Sequence, residues 1–209
     1  TMLRNPLASP DIIGISSGSS IAAVFCILIL KMNGSAVSVA AVISGIIVAT
    51  LIYMLSKGSG FSGSRLILIG IGMQAMINAL ISYLLAKGSQ YEVSSAIRWL
   101  SGSLNGMSMK DVPILFIVVL IFGIIILCLT KELQVLELGD EFATTLGVKI
   151  NLIRIALIIS SVFLIAFATS ITGPIAFVAF LSGPIAARLV GAGASNVLSA
   201  GLVGALLVL

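Results

Sequence analysis

The chain has 209 residues, of which 59% are hydrophobic and only 9% charged, with a net charge of +4 and a mean hydropathy of +1.27. Soluble domains carry about a quarter charged residues, so this composition excludes one, and a positive balance without any run of four basic residues gives no support to nucleic-acid binding. Histidine is absent, which removes imidazole bases and imidazole metal ligands and leaves an integral membrane protein made of bilayer-crossing helices.

The opening Arg4-Asn5-Pro6 interrupts any signal-peptide pattern. The first charge-free run, Ile12 to Leu30, is entered through Ser9-Pro10-Asp11 and reads as a span. Gly14 and Gly18 form a GxxxG, and Ser16 and Ser20 repeat the spacing one face over, which lets a neighbouring helix approach closely. Gly14, Ser16 and Gly18 also satisfy the hydrolase pattern G-x-S-x-G, but no histidine exists to take the serine proton.

After Lys31 to Ala36 comes a second run, Val37 to Leu55, and then a Gly/Ser-rich connector. Gly58 to Gly63 within it is a formal G-x-G-x-x-G, yet a phosphate cradle of that kind needs a preceding strand and here an apolar helix precedes it. The third run, Leu66 to Ala86, carries Gln74, Asn78 and Ser82 at a spacing of four, with Ile71, Leu80 and Leu84 assigned to the opposite side. Amides at mid-membrane are costly unless they meet partners or water, so this stripe either lines a pathway or forms an interhelical hydrogen-bonded seam. A short interfacial helix follows over Val93 to Leu104, near Tyr91 and with Trp99 in it.

Between the apolar runs Val112 to Thr130 and Ile155 to Ile171 lies the hydrophilic stretch 131–154, which holds four of the seven acids: Glu132, Glu137, Asp140 and Glu141. Leu138, Phe142, Thr145 and Leu146 fall at i, i+4, i+7 and i+8, so the stretch predicts two short amphipathic helices lying against something outside the bilayer. Beyond it, Gly173-Pro174 and Gly183-Pro184 predict either a broken span beside a cavity or an ordinary kinked helix. Cys26 and Cys128 sit in apolar runs and read as packing residues rather than a disulfide or metal pair. Val197 to Leu209 is shorter than a span, and both ends read as cuts in a longer protein.

Summed over alternate loops, Lys and Arg number seven on the side of Arg4 and the 131–154 stretch and four on the other. The positive-inside rule then puts that stretch in the cytoplasm.

Arg4-Asn5-Pro6-Leu7-Ala8-Ser9-Pro10 with Gly14-Ile15-Ser16-Ser17-Gly18 resembles the R-N-P-L-A-x-P…G-x-S-x-G signature of the FecCD family, permeases of ABC importers for iron siderophores, haem and cobalamin. In order behind it, Ser64-Arg65-Leu66-Ile67-Leu68 resembles the start of the family's fifth span, and Leu138-Gly139-Asp140-Glu141 with Leu146-Gly147 its L-G-x-x-x-A-x-x-L-G loop. Gly173-Pro174-Ile175-Ala176-Phe177-Val178 resembles its G-P-I-x-F-V. The resemblance implies an all-α polytopic transmembrane bundle like the cobalamin-importer permease, with residues 1–209 as one partial permease domain covering about spans three to nine of a ten-span fold. It implies a bacterial cytoplasmic-membrane importer of ferric siderophores, with haem or cobalamin as the alternative cargo. Its partners would be ATPase subunits that alone use ATP, a second permease subunit, an extracytoplasmic substrate-binding lipoprotein or periplasmic protein, and the lipid bilayer, but no nucleic acid. This chain would be no enzyme and would bind no cofactor or metal.

By the same resemblance, Leu138, Gly139, Asp140, Glu141, Phe142, Leu146 and Gly147 couple to the ATPases, and Asn5, Leu7, Gly63 and Ser64 form the cytoplasmic gate. Where many members read P-H-I-A-R, this chain has Pro184-Ile185-Ala186-Ala187-Arg188, a form that resembles one partner of a heterodimer and favours that over a homodimer. A secondary transporter would usually bury an ionisable coupling residue in a span, and the long runs hold none.

Overall fold

The computed structural model describes residues 14–57, 63–105, 109, 111–175, 177–191 and 196–209. Among them the structure is helical throughout: α1 (Ile15–Leu28), α2 (Ser35–Ser56), α3 (Gly63–Lys87), α4 (Gln90–Ser101), α5 (Val112–Cys128), α6 (Thr130–Leu138), α7 (Asp140–Thr145), α8 (Ile150–Thr172), α9 (Val178–Val190) and α10 (Val197–Val208). Helices α2, α3 and α8 are each long and apolar enough to cross a bilayer, and α5 with the start of α6 makes a fourth candidate bent by 52°. The polytopic α-helical class expected from composition is therefore the class observed. The described residues divide into two compact units, one within Pro10–Val118 and Val162–Ile175, the other within Val119–Ser161 and Ala176–Leu209.

In the first unit, α1 and α2 pack through small residues. A Cβ on Gly18 would lie 2.7 Å from the Val48 Cβ, and one on Gly45 would lie 3.3 Å from the Ile15 carbonyl oxygen, so the close approach requires glycine on both helices. The Ser19 hydroxyl donates to the Ala41 carbonyl at 2.9 Å and the Ser44 hydroxyl to the Gly18 carbonyl at 2.8 Å. Two helices without charged or amide side chains at their seam are thereby cross-linked by their own backbone acceptors. Ile15, Val24 and Ile52 are fully buried around it. Helix α1 has 14 residues and stops short of the Ile12 to Leu30 run. The chain turns out at Lys31, at φ 53, and leaves Ile29 and Leu30 exposed.

Helix α4 begins at Gln90, three residues before the expected start, because Ser89 turns the chain and Val93 N–H reaches the Ser89 carbonyl at 2.9 Å. Its other end closes at Gly102 (φ 65), which abuts the Pro174 carbonyl, while Ser103 N–H bonds the Thr172 carbonyl at 2.7 Å. That bond, with the Thr172 hydroxyl donating to the Gly173 carbonyl at 2.8 Å, satisfies backbone acceptors that the first Gly-Pro break leaves without helical partners. A cavity of about 440 Å³, lined in part by Asn33, Ser38, Trp99, Asp111, Ser170 and Ile171, adjoins this break.

The second Gly-Pro does not break the chain. Pro184 lies inside α9, where the missing N–H costs one i→i−4 bond, so of the two readings of this region the broken span holds at Gly173 and the continuous helix at Gly183. Helix α10 lies along α9, with Gly204 facing Ser182 at ordinary contact distance.

Candidate functional site

Helices α6 and α7 form a small platform at the start of α8. A single residue, Gly139 (φ 134, ψ 153), separates them; its backbone conformation is one that side-chain-bearing residues rarely adopt. Helix α7 closes in a Schellman motif: Gly147 N–H, at φ 75, bonds the Thr144 carbonyl at 3.0 Å, and Val148 N–H bonds the Ala143 carbonyl at 2.9 Å. The Gly139 and Gly147 of the sequence pattern are thus the two joints of a six-residue helix.

One side of the platform is closed. Leu136 and Ala143 pack on Ile153 and Leu157 of α8 in a core that also takes in Leu133, Val148 and Ile150. The other side is open: Leu138 is 69% exposed, Phe142 65% and Leu146 65%. The three apolar residues read at i, i+4 and i+8 are therefore exposed among the described residues, with the Gly139 corner between Leu138 and the other two.

Asp140 and Glu141 occupy the first turn of α7, where the helix dipole favours acids. Glu141 is exposed. Asp140 receives the Arg154 guanidinium, with Nη2 2.7 Å from Oδ1 and 2.9 Å from Oδ2. The Arg154 side chain is only 11% exposed against 49% for Asp140. Sequence reasoning counts Arg154 only as a topology charge and misses it as a partner. The 14-residue separation from Asp140 carries no helical or strand periodicity that could reveal the pair. On α6, Glu132 has a buried carboxylate oxygen without a hydrogen bond.

On α3 the buried positions are Leu66, Gly70, Ile77 and Ile81, whereas Gln74 is half-buried and Asn78 and Ser82 are exposed. The Ser82 hydroxyl bonds back to the Asn78 carbonyl at 2.9 Å. The polar stripe thus lies beside the packed face. Ile71 needs correction: at about 100° per residue it falls among the three polar residues rather than opposite them, and it is 50% exposed. Gly63 and Ser64 open α3, half-buried and exposed respectively. Asn5, Leu7 and Gly58 to Ser62 lie outside the described residues. Cys26 is buried as expected of a packing residue, but Cys128 is exposed.

At the α4 start, Lys31 Nζ lies 3.2 Å from Glu92 Oε1 and the Ser89 hydroxyl donates to Glu92 Oε2 at 2.7 Å. The hydroxyl first, and then the ammonium, hold the Glu92 carboxyl below its ordinary value. Among the described residues no group of three His, Cys, Asp or Glu side chains is placed to hold a metal ion.

The chain is 35% identical over its whole length to the ferric enterobactin transport system permease protein FepG of Escherichia coli (strain K12), and spans 63% of that protein. It is 33% identical over 92% of its length to FepD, another permease protein of the ferric enterobactin system of the same organism, spanning 58% of it. Among solved structures it matches a metal-chelate type ABC transporter in an inward-facing conformation with a TM-score of 0.87 and 30% identity, covering 98% of this chain and 66% of that one. The profile of the FecCD transport family matches residues 1–209 from end to end, and the chain belongs to that family.

Proposed function

We propose that the chain is the larger part of a permease subunit of an ATP-driven importer that moves ferric siderophore complexes across the bacterial cytoplasmic membrane. The carrying observation is the platform of α6 and α7, which holds Leu138, Phe142 and Leu146 outward on a packed base. Single exposed apolar residues are common, but three exposed within nine residues beside two glycine corners form a face shaped for a partner. In this reading the partner is a cytoplasmic ATPase subunit. ATP is bound and hydrolysed there, and the 131–154 segment receives the motion.

Asn78 and Ser82 on the exposed side of α3 offer uncharged hydrogen-bonding groups to a passing hydrophilic chelate, which they can contact without trapping it by charge. Gly63 and Ser64, which open that helix, are assigned in this reading to the cytoplasmic gate. An extracytoplasmic binding protein delivers the cargo. FepG and FepD, two permease proteins of one transport system that both resemble this chain, support a second, different permease subunit as its companion.

The test is reconstitution of the full-length permease with its ATPase and binding protein in liposomes. ATP-dependent uptake of ferric siderophore is expected, and Leu146→Asp should abolish both uptake and co-purification of the ATPase. Full uptake by a Leu146→Asp variant that still co-purifies with the ATPase refutes the docking face. Uptake of cobalamin or haem instead of the ferric chelate would correct the cargo.

A further inference from the structure

Helix α7 has six residues and is held at both ends by glycines at positive φ, Gly139 and Gly147. So short a helix has little stability of its own, so its direction is held by its contacts with neighbouring elements. Its apolar underside, Ala143 against Ile153 and Leu157, fixes its distance from α8 but not its direction, because apolar contacts slide at small cost. The directional link is the ion pair, in which the largely buried Arg154 in the second turn of α8 bonds both carboxylate oxygens of Asp140 at the first residue of α7.

We infer that Asp140 and Arg154 form a latch that makes α7 and the start of α8 one rigid body, so that force applied to the Phe142 and Leu146 face is delivered to α8. Both are positioning residues: Asp140 acts on the partner through α7 and does not contact it. The inference rests on the docking role proposed above for that face. It adds that docking and transmission are separable, the first carried by the apolar residues and the second by the pair.

The experiment uses the complete importer in liposomes, with ATP hydrolysis and uptake measured together. Arg154→Gln should keep normal co-purification with the ATPase and normal basal hydrolysis while uptake per ATP falls roughly tenfold, a size in keeping with broken coupling elements, and Asp140→Asn should lower uptake per ATP to the same extent. The exchanged pair Asp140→Arg with Arg154→Asp should recover most of the ratio. Loss of co-purification in Asp140→Asn means that Asp140 touches the partner and overturns the latch; so do unchanged coupling in the single variants or an exchanged pair no better than they are.

A second measurement needs no change at either residue. Spin labels at Thr144 and Leu152, both exposed, should report one unchanging distance in resting and ATP-trapped complexes; a shift between the states breaks the rigid-body assignment. The Leu146→Asp variant keeps the two proposals apart. If it still docks, the face is wrong, while a constant label distance continues to support the latch.

Discussion

The seam between α1 and α2 and the platform of α6 and α7 are both written in residues spaced by four, yet one is closed and the other open. At the seam the repeated residues are Gly14 and Gly18 with serines beside them, and the chain supplies its own complement in Gly45 and Val48. On the platform they are Leu138, Phe142 and Leu146, and the described residues supply a base beneath but leave these three exposed. Residue size is what separates the two outcomes. Small side chains gain nothing from burial except a close backbone approach, which only a helix of the same chain or a tight partner can offer. Large ones left about two-thirds open keep the greater part of their transfer free energy, of about 1.5–3 kcal/mol for full burial of each such side chain, available for a separate surface.

The comparison is broken most severely at Gly18. Gly18→Leu would drive a side chain into Val48 and the Ser44 carbonyl, and overpacking of this kind costs about 1–3 kcal/mol or more. Thermal unfolding in detergent should show a large loss. By contrast, Leu146→Asp should leave the unfolding midpoint within a degree or so of the parent, since exposed substitutions move stability by only about 0.5 kcal/mol, while removing the ATPase from the purified complex. A seam variant that unfolds normally, or a platform variant that unfolds early, would erase the distinction between the two regions.

The α3 stripe offers an intermediate case, polar and exposed in this chain. Single cysteines at Ile71, Gln74, Asn78 and Ser82 should react with a water-soluble thiol reagent in the full-length assembly, and cysteines at the buried Ile77 and Ile81 should not. Reaction at Ile71 distinguishes the corrected register from one that sets it opposite the amides. Uniform protection would make the stripe a packing seam with another helix, like that of α1.

The smallest effect belongs to Glu92. Its carboxyl is held below the ordinary value of 4.5 in the folded chain by Ser89 and Lys31, so the tie between the Lys31 turn and α4 contributes at all pH values above that point and is lost as pH falls through the lowered value. Protection of the α4 amides against hydrogen exchange, relative to the intrinsic rate at each pH, should therefore fall only below about pH 4.5. The Glu92→Gln variant should exchange faster at neutral pH and show no such step.

Much of this architecture is legible in the amino-acid sequence. The apolar runs mark α2, α3, α5 and α8 within a few residues, because an uncharged stretch of that length has few other states available to it. That Phe142 and Leu146 share a side is legible because helical period assigns side chains to a side, whereas Leu138 lies across the Gly139 corner from them. What the period cannot assign is the partner. Gly45 and Ser44 give no sign that they answer Gly18, and Arg154 none that it answers Asp140, since both depend on how the chain folds back on itself. Pro184 misleads for a different reason. A proline in the middle of a helix costs one hydrogen bond, and α9 bears that cost, whereas at Gly173 the left-handed φ of 71 and the contact with Gly102 end α8.

Gly139 carries a last consequence, for the length of the chain rather than its composition. Surface connectors usually tolerate insertions because nothing depends on their phase. Here the corner is a single residue and α7 only six, so each residue added or removed in the first turn of α7 would turn the residues after it by about 100°. One insertion would swing Phe142 and Leu146 toward Ile153 and Leu157 and bring Ala143 out to the solvent. The segment is a loop in its exposure to water, but its residue count is constrained as tightly as that of any buried helix.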